Sequence, residues 1–251
     1  MEIVFFRCLI SFLITFFLLK RKNVSILGNN RNLLFLRGLF GTIGLYLYFV
    51  ILQQIPLATA STLIYLTPFF TSIVGIIVLK EKMSIFQWLF LAIAFFGIIL
   101  IQGFDARVSI ESVIMGASGS LCAAFAYNII RYLKDKEDSL VLMIYFPMIA
   151  CPIGAFISYF NWVSPSFYEY VILILIGVFT QFAQYFMTRS YQSAEVSKVS
   201  VISYIEIIFV IAIGSVFFNE NFDYLVYIGM FLVTFGVVFN VAFYRNDKQN
   251  L

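Results

Sequence analysis

The residue whose side chain is most able to take part in chemistry in this 251-residue chain is Glu206. It lies in the apolar stretch SYIEIIFVIAIGSVFFNE (203–220). An ionised carboxylate near the centre of a bilayer costs several kcal/mol unless it is paired or hydrated. The position therefore predicts that Glu206 takes up a proton or holds a cationic or polar group. The alternative is a structural hydrogen bond that ties two helices together.

Two arginines also lie inside apolar segments, each about five residues from a helix end: Arg7 and Arg37. Either side chain can extend its guanidinium to the lipid headgroups. The alternative is that one of them faces a cavity and binds a carboxylate or a phosphate, because the planar guanidinium forms two parallel hydrogen bonds with such groups.

Other polar side chains at membrane depth complete the candidate site. Gln181, Gln184 and Tyr185 are spaced i, i+3, i+4, so they share one helix face. This face is predicted to line a cavity, with hydrogen bonding between helices as the alternative. The chain has no histidine and its three cysteines have no metal-type spacing, so no metal site and no cofactor are predicted. The remaining candidates are Tyr65, Thr67, Tyr127, Asn128 and Tyr204.

The elements that must position these residues are membrane helices. Hydrophobic residues make up 62% of the chain and charged residues 12%, and the mean hydropathy is +0.98. Soluble domains average roughly 45–50% and about 25% on the same classes. An all-α integral membrane protein is therefore predicted, with nine apolar segments near the length that a bilayer requires. The segments are 3–20, 32–52, 57–79, 85–101, 112–132, 139–160, 168–190, 195–218 and 223–244.

The loops between these segments alternate in charge. The loops after the odd-numbered segments, together with the tail at 245–251, hold thirteen Lys and Arg residues, while the opposite loops hold only Arg107. The positive-inside rule then predicts a multi-pass membrane protein with a cytoplasmic C-terminus. The central loop RYLKDKEDS (131–139) is predicted to be a solvated linker between the two halves of the chain.

The chain also contains an internal repeat. IYLTPFFTSIVGIIVLKE (64–81) aligns with 203–220 at an offset of 139, without a gap. The two copies lie in the third and eighth segments and so cross the membrane in opposite directions, as inverted repeats of secondary transporters do. The same offset leaves the segment 112–132 without a partner, which predicts a five-plus-five architecture that lacks its first helix. Identical pairs are Gln53/Gln192, Ser61/Ser200, Tyr65/Tyr204, Phe70/Phe209, Gly75/Gly214, Glu81/Glu220 and Gly97/Gly236.

Two longer stretches carry a family resemblance. FLRGLFGTIGLYLYFVILQQIPLATASTLIYLTPFFTSIVGIIVLKEKMS and RSYQSAEVSKVSVISYIEIIFVIAIGSVFFNENFDYLVYIGMFLVTFGVVF resemble the EamA-type repeats of the drug/metabolite transporter superfamily. The resemblance implies two inverted five-helix repeats, here 1–104 (helices 2–5) and 112–244 (helices 6–10), in a protein of the cell (inner) membrane. Family members often have Glu-Pro where this chain has Glu206-Ile207. Because only the first copy keeps a proline, Pro68, a kink is expected there rather than in the eighth segment.

The predicted function is secondary-active transport of a small metabolite or drug-like solute by alternating access, with proton coupling through Glu206 as one form of the hypothesis. A flippase for a lipid-linked group, a structural membrane subunit and a membrane-embedded transferase are the alternatives. No enzyme activity is predicted, since the chain has no histidine and no intramembrane acidic pair at helical spacing. The expected partners are a small-molecule substrate and membrane lipid but no nucleic acid, and a homodimer is left open.

Overall fold

The computed structural model of the chain describes residues 2–54, 60, 63–102, 109–160, 162–218 and 223–249. Within these residues all regular secondary structure is helical. Three residues named above for the internal repeat or the loop charges lie outside the described residues, as do positions 250 and 251 of the predicted tail. The three are Ser61, Arg107 and Glu220.

Each of the nine predicted segments contains helix in the described residues, and the prediction of an all-helical membrane protein is confirmed. Five helices, α1, α2, α5, α6 and α7, are long and apolar enough to cross a bilayer. The eighth segment is divided into α8 and α9 by a 3₁₀ turn at Ser203–Ile205. The helices are α1 Glu2–Arg21, α2 Arg31–Ile51, α3 Thr67–Leu79, α4 Ile85–Gln102, α5 Ile110–Tyr132, α6 Ser139–Phe160, α7 Phe167–Ser193, α8 Val196–Ile202, α9 Glu206–Phe218 and α10 Tyr224–Gln249.

Helix α7 illustrates why these sequences form membrane helices. It begins with a capping box, in which the Ser166 hydroxyl accepts from the Glu169 amide and the Glu169 carboxylate accepts from the Ser166 amide. Its apolar side chains Phe179, Phe182 and Phe186 share one face and are exposed, which is the face that lipid covers. The opposite face is buried and contains Leu173, Gly177, Gln181, Thr188 and Tyr191.

The chain forms two compact units, one made of residues 1–46 and 125–194 and the other of residues 47–124 and 195–251. In the first unit, α1 packs against α6 and α7. Helix α2 approaches α6 closely at Gly38, where a Cβ atom would lie 2.6 Å from the Tyr145 carbonyl oxygen. The two helix backbones therefore pack closely at Gly38, because only a residue without a side chain fits.

In the second unit, α4 packs along α10 through a contact that occurs twice. A Cβ atom on Gly97 would lie 2.7 Å from the Gly229 carbonyl oxygen, and one on Gly236 would lie 2.6 Å from the Phe90 carbonyl oxygen. Residues 97 and 236 are 139 positions apart, and so are 90 and 229, so the two helices exchange roles between the two contacts. Helices α3 and α9, and likewise α4 and α10, also begin 139 positions apart. These matches support the duplication, which stays a prediction.

The loop between α5 and α6 differs from the prediction of a solvated linker. Glu137 is 8% exposed, and its Oε1 accepts hydrogen bonds from the Asn29 amide (2.8 Å), the Asn30 amide (2.6 Å) and the Asn30 side-chain amide (3.0 Å). Gly28 has φ +58°, and a Cβ atom there would lie 2.7 Å from Glu137 Oε2. The carboxylate therefore fixes the loop that precedes α2 and lies at the positive end of that helix. We call Gly28, Asn29, Asn30 and Glu137 the Glu137 clasp.

Candidate functional site

The predicted site residues divide between the two compact units. Seven of them lie in the first unit and four, together with Pro68, lie in the second. Each group is described within its own unit. The first group is Arg7, Arg37, Tyr127, Asn128, Gln181, Gln184 and Tyr185, and the second is Tyr65, Thr67, Tyr204 and Glu206.

In the first unit both arginines approach one aromatic ring, that of Phe146. The guanidinium carbon lies 6.0 Å from the ring centroid for Arg7 and 5.5 Å for Arg37. These distances are within the range of cation–π attraction. We call Arg7, Arg37 and Phe146 the arginine–Phe146 cluster.

Arg37 is almost completely buried, with 2% of its surface exposed. Its Nε has no hydrogen-bond partner, and within the described residues neither guanidinium of the cluster has a carboxylate partner. A side chain that extends to the headgroups would be exposed at its end, so the burial of Arg37 does not fit that alternative. Arg37 is instead a buried cation without a counter-ion among the described residues.

Arg7 borders a narrow cleft between α1, α6 and α7, which in this structure does not admit a water molecule. The side chains of α1 that face α7 follow a four-residue spacing, from Arg7 to Ser11 to Thr15, and so form one polar stripe. The cleft is lined by Arg7, Cys8, Ser11, Phe146, Thr180 and Gln184.

Gln181, Gln184 and Tyr185 do not share one role. Gln181 is buried, accepts a hydrogen bond from the Ser11 hydroxyl and donates one to the Thr15 hydroxyl at 2.8 Å. It therefore fits the alternative of hydrogen bonding between helices. Gln184 borders the cleft beside Arg7, and Tyr185 is exposed.

The two predicted residues of α5 lie near the C-terminal end of that helix. The Tyr127 ring stacks on the Tyr191 ring of α7, with centroids 4.8 Å apart and an interplanar angle of 18°. Asn128 is 3% exposed. The stacked pair joins α5 to α7 within the first unit, and its geometry is that of packing rather than of an open binding surface.

In the second unit the eighth segment breaks immediately before Glu206. The Ser203 hydroxyl donates to the Ser200 carbonyl oxygen at 2.5 Å, and the Ser200 hydroxyl donates to the Ser197 carbonyl oxygen at 3.1 Å. Hydroxyl bonds to carbonyls three residues earlier compete with the regular helical pattern and accompany a tighter turn. The 3₁₀ turn at Ser203–Ile205 follows, and α9 begins at Glu206, whose side chain is exposed.

The first copy is interrupted at the equivalent position. Helix α3 begins at Thr67, 139 residues before Glu206, with Pro68 in its first turn. The expected difference between the copies is therefore not observed in the described residues, because the eighth segment breaks without a proline. Ser200 and Ser203 lie at this interruption, and their hydroxyls bond to carbonyl oxygens three residues earlier.

Two equivalent tyrosines meet beside these interruptions. The Tyr204 hydroxyl donates to the Tyr65 carbonyl oxygen at 2.8 Å, and the ring centroids are 6.0 Å apart. Tyr204 is fully buried, and Glu206 follows it by two residues at the start of α9. The second unit thus brings Tyr65, Tyr204 and Glu206 close together around the two helix interruptions.

Sequence reasoning missed several residues of these arrangements. Ser11 and Thr15 could have been found from their four-residue spacing after Arg7, but Phe146 has no signal that separates it from the 30 other phenylalanines of the chain.

Among the described residues no group of three or more His, Cys, Asp or Glu side chains could hold a metal ion.

Comparison with known proteins identifies the relatives of the chain. The profile of the EamA-like transporter family matches residues 1–103 and 111–242. The pseudopaline exporter CntI of Pseudomonas aeruginosa is 29% identical over 249 residues, which cover 98% of this chain and 87% of the exporter. Solute carrier family 35 member G1 of Mus musculus is 29% identical over 237 residues, covering 87% of this chain and 64% of that protein.

A more distant relative and a solved structure complete the comparison. The S-adenosylmethionine uptake transporter of Rickettsia prowazekii is 22% identical over 186 residues, covering 74% of this chain and 63% of that protein. One crystal structure superposes with a TM-score of 0.85 at 16% identity, covering 97% of this chain and 88% of the other. At this identity the superposition establishes the fold alone.

Proposed function

We propose that this chain, which belongs to the EamA-like transporter family, carries a small organic solute across the cell membrane by alternating access. That it is a membrane transport protein follows from the family and from its named relatives. The observation that carries the finer proposal is the interruption of the eighth segment directly before Glu206.

Interrupted helices have a direct use in a transporter. They leave backbone polar groups and helix ends free near the middle of the membrane, where secondary transporters bind solutes and coupling ions. Glu206 is the first residue of α9, so the positive end of the helix dipole favours its negative charge. Its side chain is exposed and has no hydrogen-bond or ion-pair partner among the described residues.

These features support a role for Glu206 in coupling to protons. The carboxylate takes up a proton when it faces one side of the membrane and releases it when it faces the other. Protonation removes its charge, and only the neutral form crosses the apolar part of the cycle at low cost. The proton gradient then drives solute movement, with no need for ATP.

The two halves of the transporter are proposed to be the segments 1–104 and 112–244, inserted in opposite directions. The equal helix starts at an offset of 139 support this arrangement, as does the family profile, which matches two separate ranges. The excess of Lys and Arg in the loops after the odd-numbered segments supports a cytoplasmic C-terminus in the cell membrane.

The test is solute flux in liposomes that contain the purified chain. Pseudopaline and S-adenosylmethionine, named for two relatives, are the first solutes, measured in both directions with and without an imposed pH gradient. We expect the gradient to change the wild-type flux and to have no effect on Glu206→Gln. The matched control is Glu111→Gln, which alters an exposed carboxylate at the start of α5 and should behave as wild type. If Glu206→Gln kept both the flux and its pH dependence, the proposal would fail.

A further inference from the structure

We infer that the arginine–Phe146 cluster binds an oxyanion, and that the solute carried by this chain presents a carboxylate group to it. The inference rests on the proposed transport function, since it names the chemical class of the solute. It assigns to the first unit the recognition of the solute's negative charge.

The argument begins with the charge of Arg37. The side chain is 2% exposed and its Nε has no hydrogen-bond partner. Its guanidinium carbon lies 5.5 Å from the centroid of the Phe146 ring. A buried cation without a counter-ion destabilises the folded chain, because the ring compensates only a part of the lost hydration. A bound anion would supply the missing negative charge.

The second step is the chemistry around the cluster. The cleft beside it is lined by a second guanidinium, that of Arg7, and by the amide of Gln184. The Thr180 hydroxyl also lines it but donates its proton to the Ile176 carbonyl oxygen at 2.7 Å. No aspartate or glutamate lines the cleft, so an entering anion meets no like charge. Guanidinium groups match the planar, two-oxygen geometry of a carboxylate better than that of a spherical anion such as chloride.

The third step is the room for movement. The cleft is too narrow in this structure to admit a water molecule, so the site is closed here. Gly41 lies next to both Phe146 and Arg37. A Cβ atom on Gly41 would lie 3.1 Å from the Phe146 ring and 3.6 Å from Arg37 Nη1. Arg37 does not line the cleft, so an anion there contacts its guanidinium only after half-buried Arg7 or Phe146 changes rotamer.

An oxyanion at this site has two sources, a soluble solute or the phosphate of an anionic lipid. The experiment separates them by placing the full chain in nanodiscs of phosphatidylcholine alone, or of phosphatidylcholine with phosphatidylglycerol. Thermal unfolding is then followed with increasing sodium succinate or sodium citrate, against sodium chloride at equal ionic strength. A ligand that binds only the folded state raises the unfolding midpoint.

The expected result is that succinate or citrate raises the midpoint of the wild type in phosphatidylcholine. In Arg37→Met the half-saturating concentration should rise roughly ten- to a hundredfold, as expected for the loss of a charge-assisted hydrogen bond. Without carboxylate, Arg37→Met should unfold no earlier than wild type, because the substitution removes an uncompensated buried charge. The matched control Arg189→Met alters an exposed arginine of α7 and should keep the wild-type response.

Two results would overturn the inference. One is an unchanged carboxylate response in both Arg37→Met and Arg37→Lys. The lysine variant keeps the positive charge but not the planar guanidinium, and it replaces the methionine variant in the test if that variant does not fold. The other is stabilisation that depends on phosphatidylglycerol and Arg37 but not on soluble carboxylate, which would assign the site to a lipid phosphate.

The same measurements distinguish this inference from the transport proposal. Binding is measured without flux, and Glu111→Gln, which alters an exposed carboxylate outside both proposed sites, should retain the carboxylate response. Proton-coupled flux without carboxylate binding would refute the inference and leave the transport proposal standing. Carboxylate binding through Arg37 without flux of any solute would refute the transport proposal, and it would leave an oxyanion site at Arg37 but not its role in recognising a transported solute.

Discussion

Removal of the Glu137 carboxylate should release the loop that precedes α2. Its Oε1 accepts hydrogen bonds from the amides of Asn29 and Asn30 and from the Asn30 side chain, at 2.6 to 3.0 Å. Hydrogen bonds to a charged group contribute about 1.5–3 kcal/mol each, but three bonds to one oxygen do not add fully. We therefore expect Glu137→Ala to lower the free energy of unfolding by about 3 kcal/mol.

The variant Glu137→Gln separates the charge from the hydrogen bonds. Its amide oxygen still accepts from the backbone, so only the charge at the start of α2 is lost, which is worth about 0.3–1 kcal/mol. For a chain of this size 1 kcal/mol corresponds to roughly 2–4 °C in the unfolding midpoint. Glu137→Ala should then unfold about 6–12 °C below wild type, and Glu137→Gln no more than about 4 °C below.

The assay is thermal unfolding in detergent together with hydrogen exchange of residues 22–30. Exchange of the Asn29 and Asn30 amides should accelerate in Glu137→Ala. Asp135→Ala is the matched control, because Asp135 lies in the same loop with a side chain that is 83% exposed. If Glu137→Ala unfolded within about 2 °C of wild type and the loop kept its protection, the energetic role of the Glu137 clasp would be refuted.

Two further predictions concern helix packing and orientation. Gly97→Ala should destabilise the chain by about 1–3 kcal/mol, because its Cβ atom would lie 2.7 Å from the Gly229 carbonyl oxygen. Exposed Ala92→Val on the same helix should have little effect in the same unfolding assay, and equal midpoints for the two variants would contradict the close contact. A fluorescent protein fused after residue 251 should fold and fluoresce in the cytoplasm, whereas alkaline phosphatase fused there should be inactive. The same reporters inserted at 162–166 should give the opposite pattern, and an active phosphatase at the C-terminus would reverse the predicted orientation.

Much of the fold could be predicted because membrane helices leave a strong, local signal. Long apolar runs located the segments, and α1, α2 and α6 begin and end within three residues of the predicted bounds. The division of the eighth segment could not be predicted from hydropathy, since the 3₁₀ turn at Ser203–Ile205 lies within one continuous apolar run.

The candidate site could be predicted less completely, because its contacts join residues far apart in the sequence. Spacing placed Gln181 and Gln184 on one helix face, but it did not separate their roles. Only the fold reveals that the Gln181 amide forms hydrogen bonds with Ser11 and Thr15. Gln184 borders a cleft instead. The run of charged residues around Glu137 is typical of a solvated linker. Glu137 is nevertheless buried, because its carboxylate bonds to a loop more than 100 residues earlier in the sequence. The approach of Arg7 and Arg37 to the same Phe146 ring has the same non-local origin.

The reciprocal contact between α4 and α10 also has a consequence for biosynthesis. The two helices start 139 residues apart, so α4 is inserted long before its packing partner exists. At roughly 5–20 residues per second, the ribosome needs about 7–28 s to make the intervening chain. During that interval the small-residue face of α4 around Gly97 contacts lipid or the insertion machinery. Assembly of the second unit is therefore completed only when α10 enters the bilayer and covers that face.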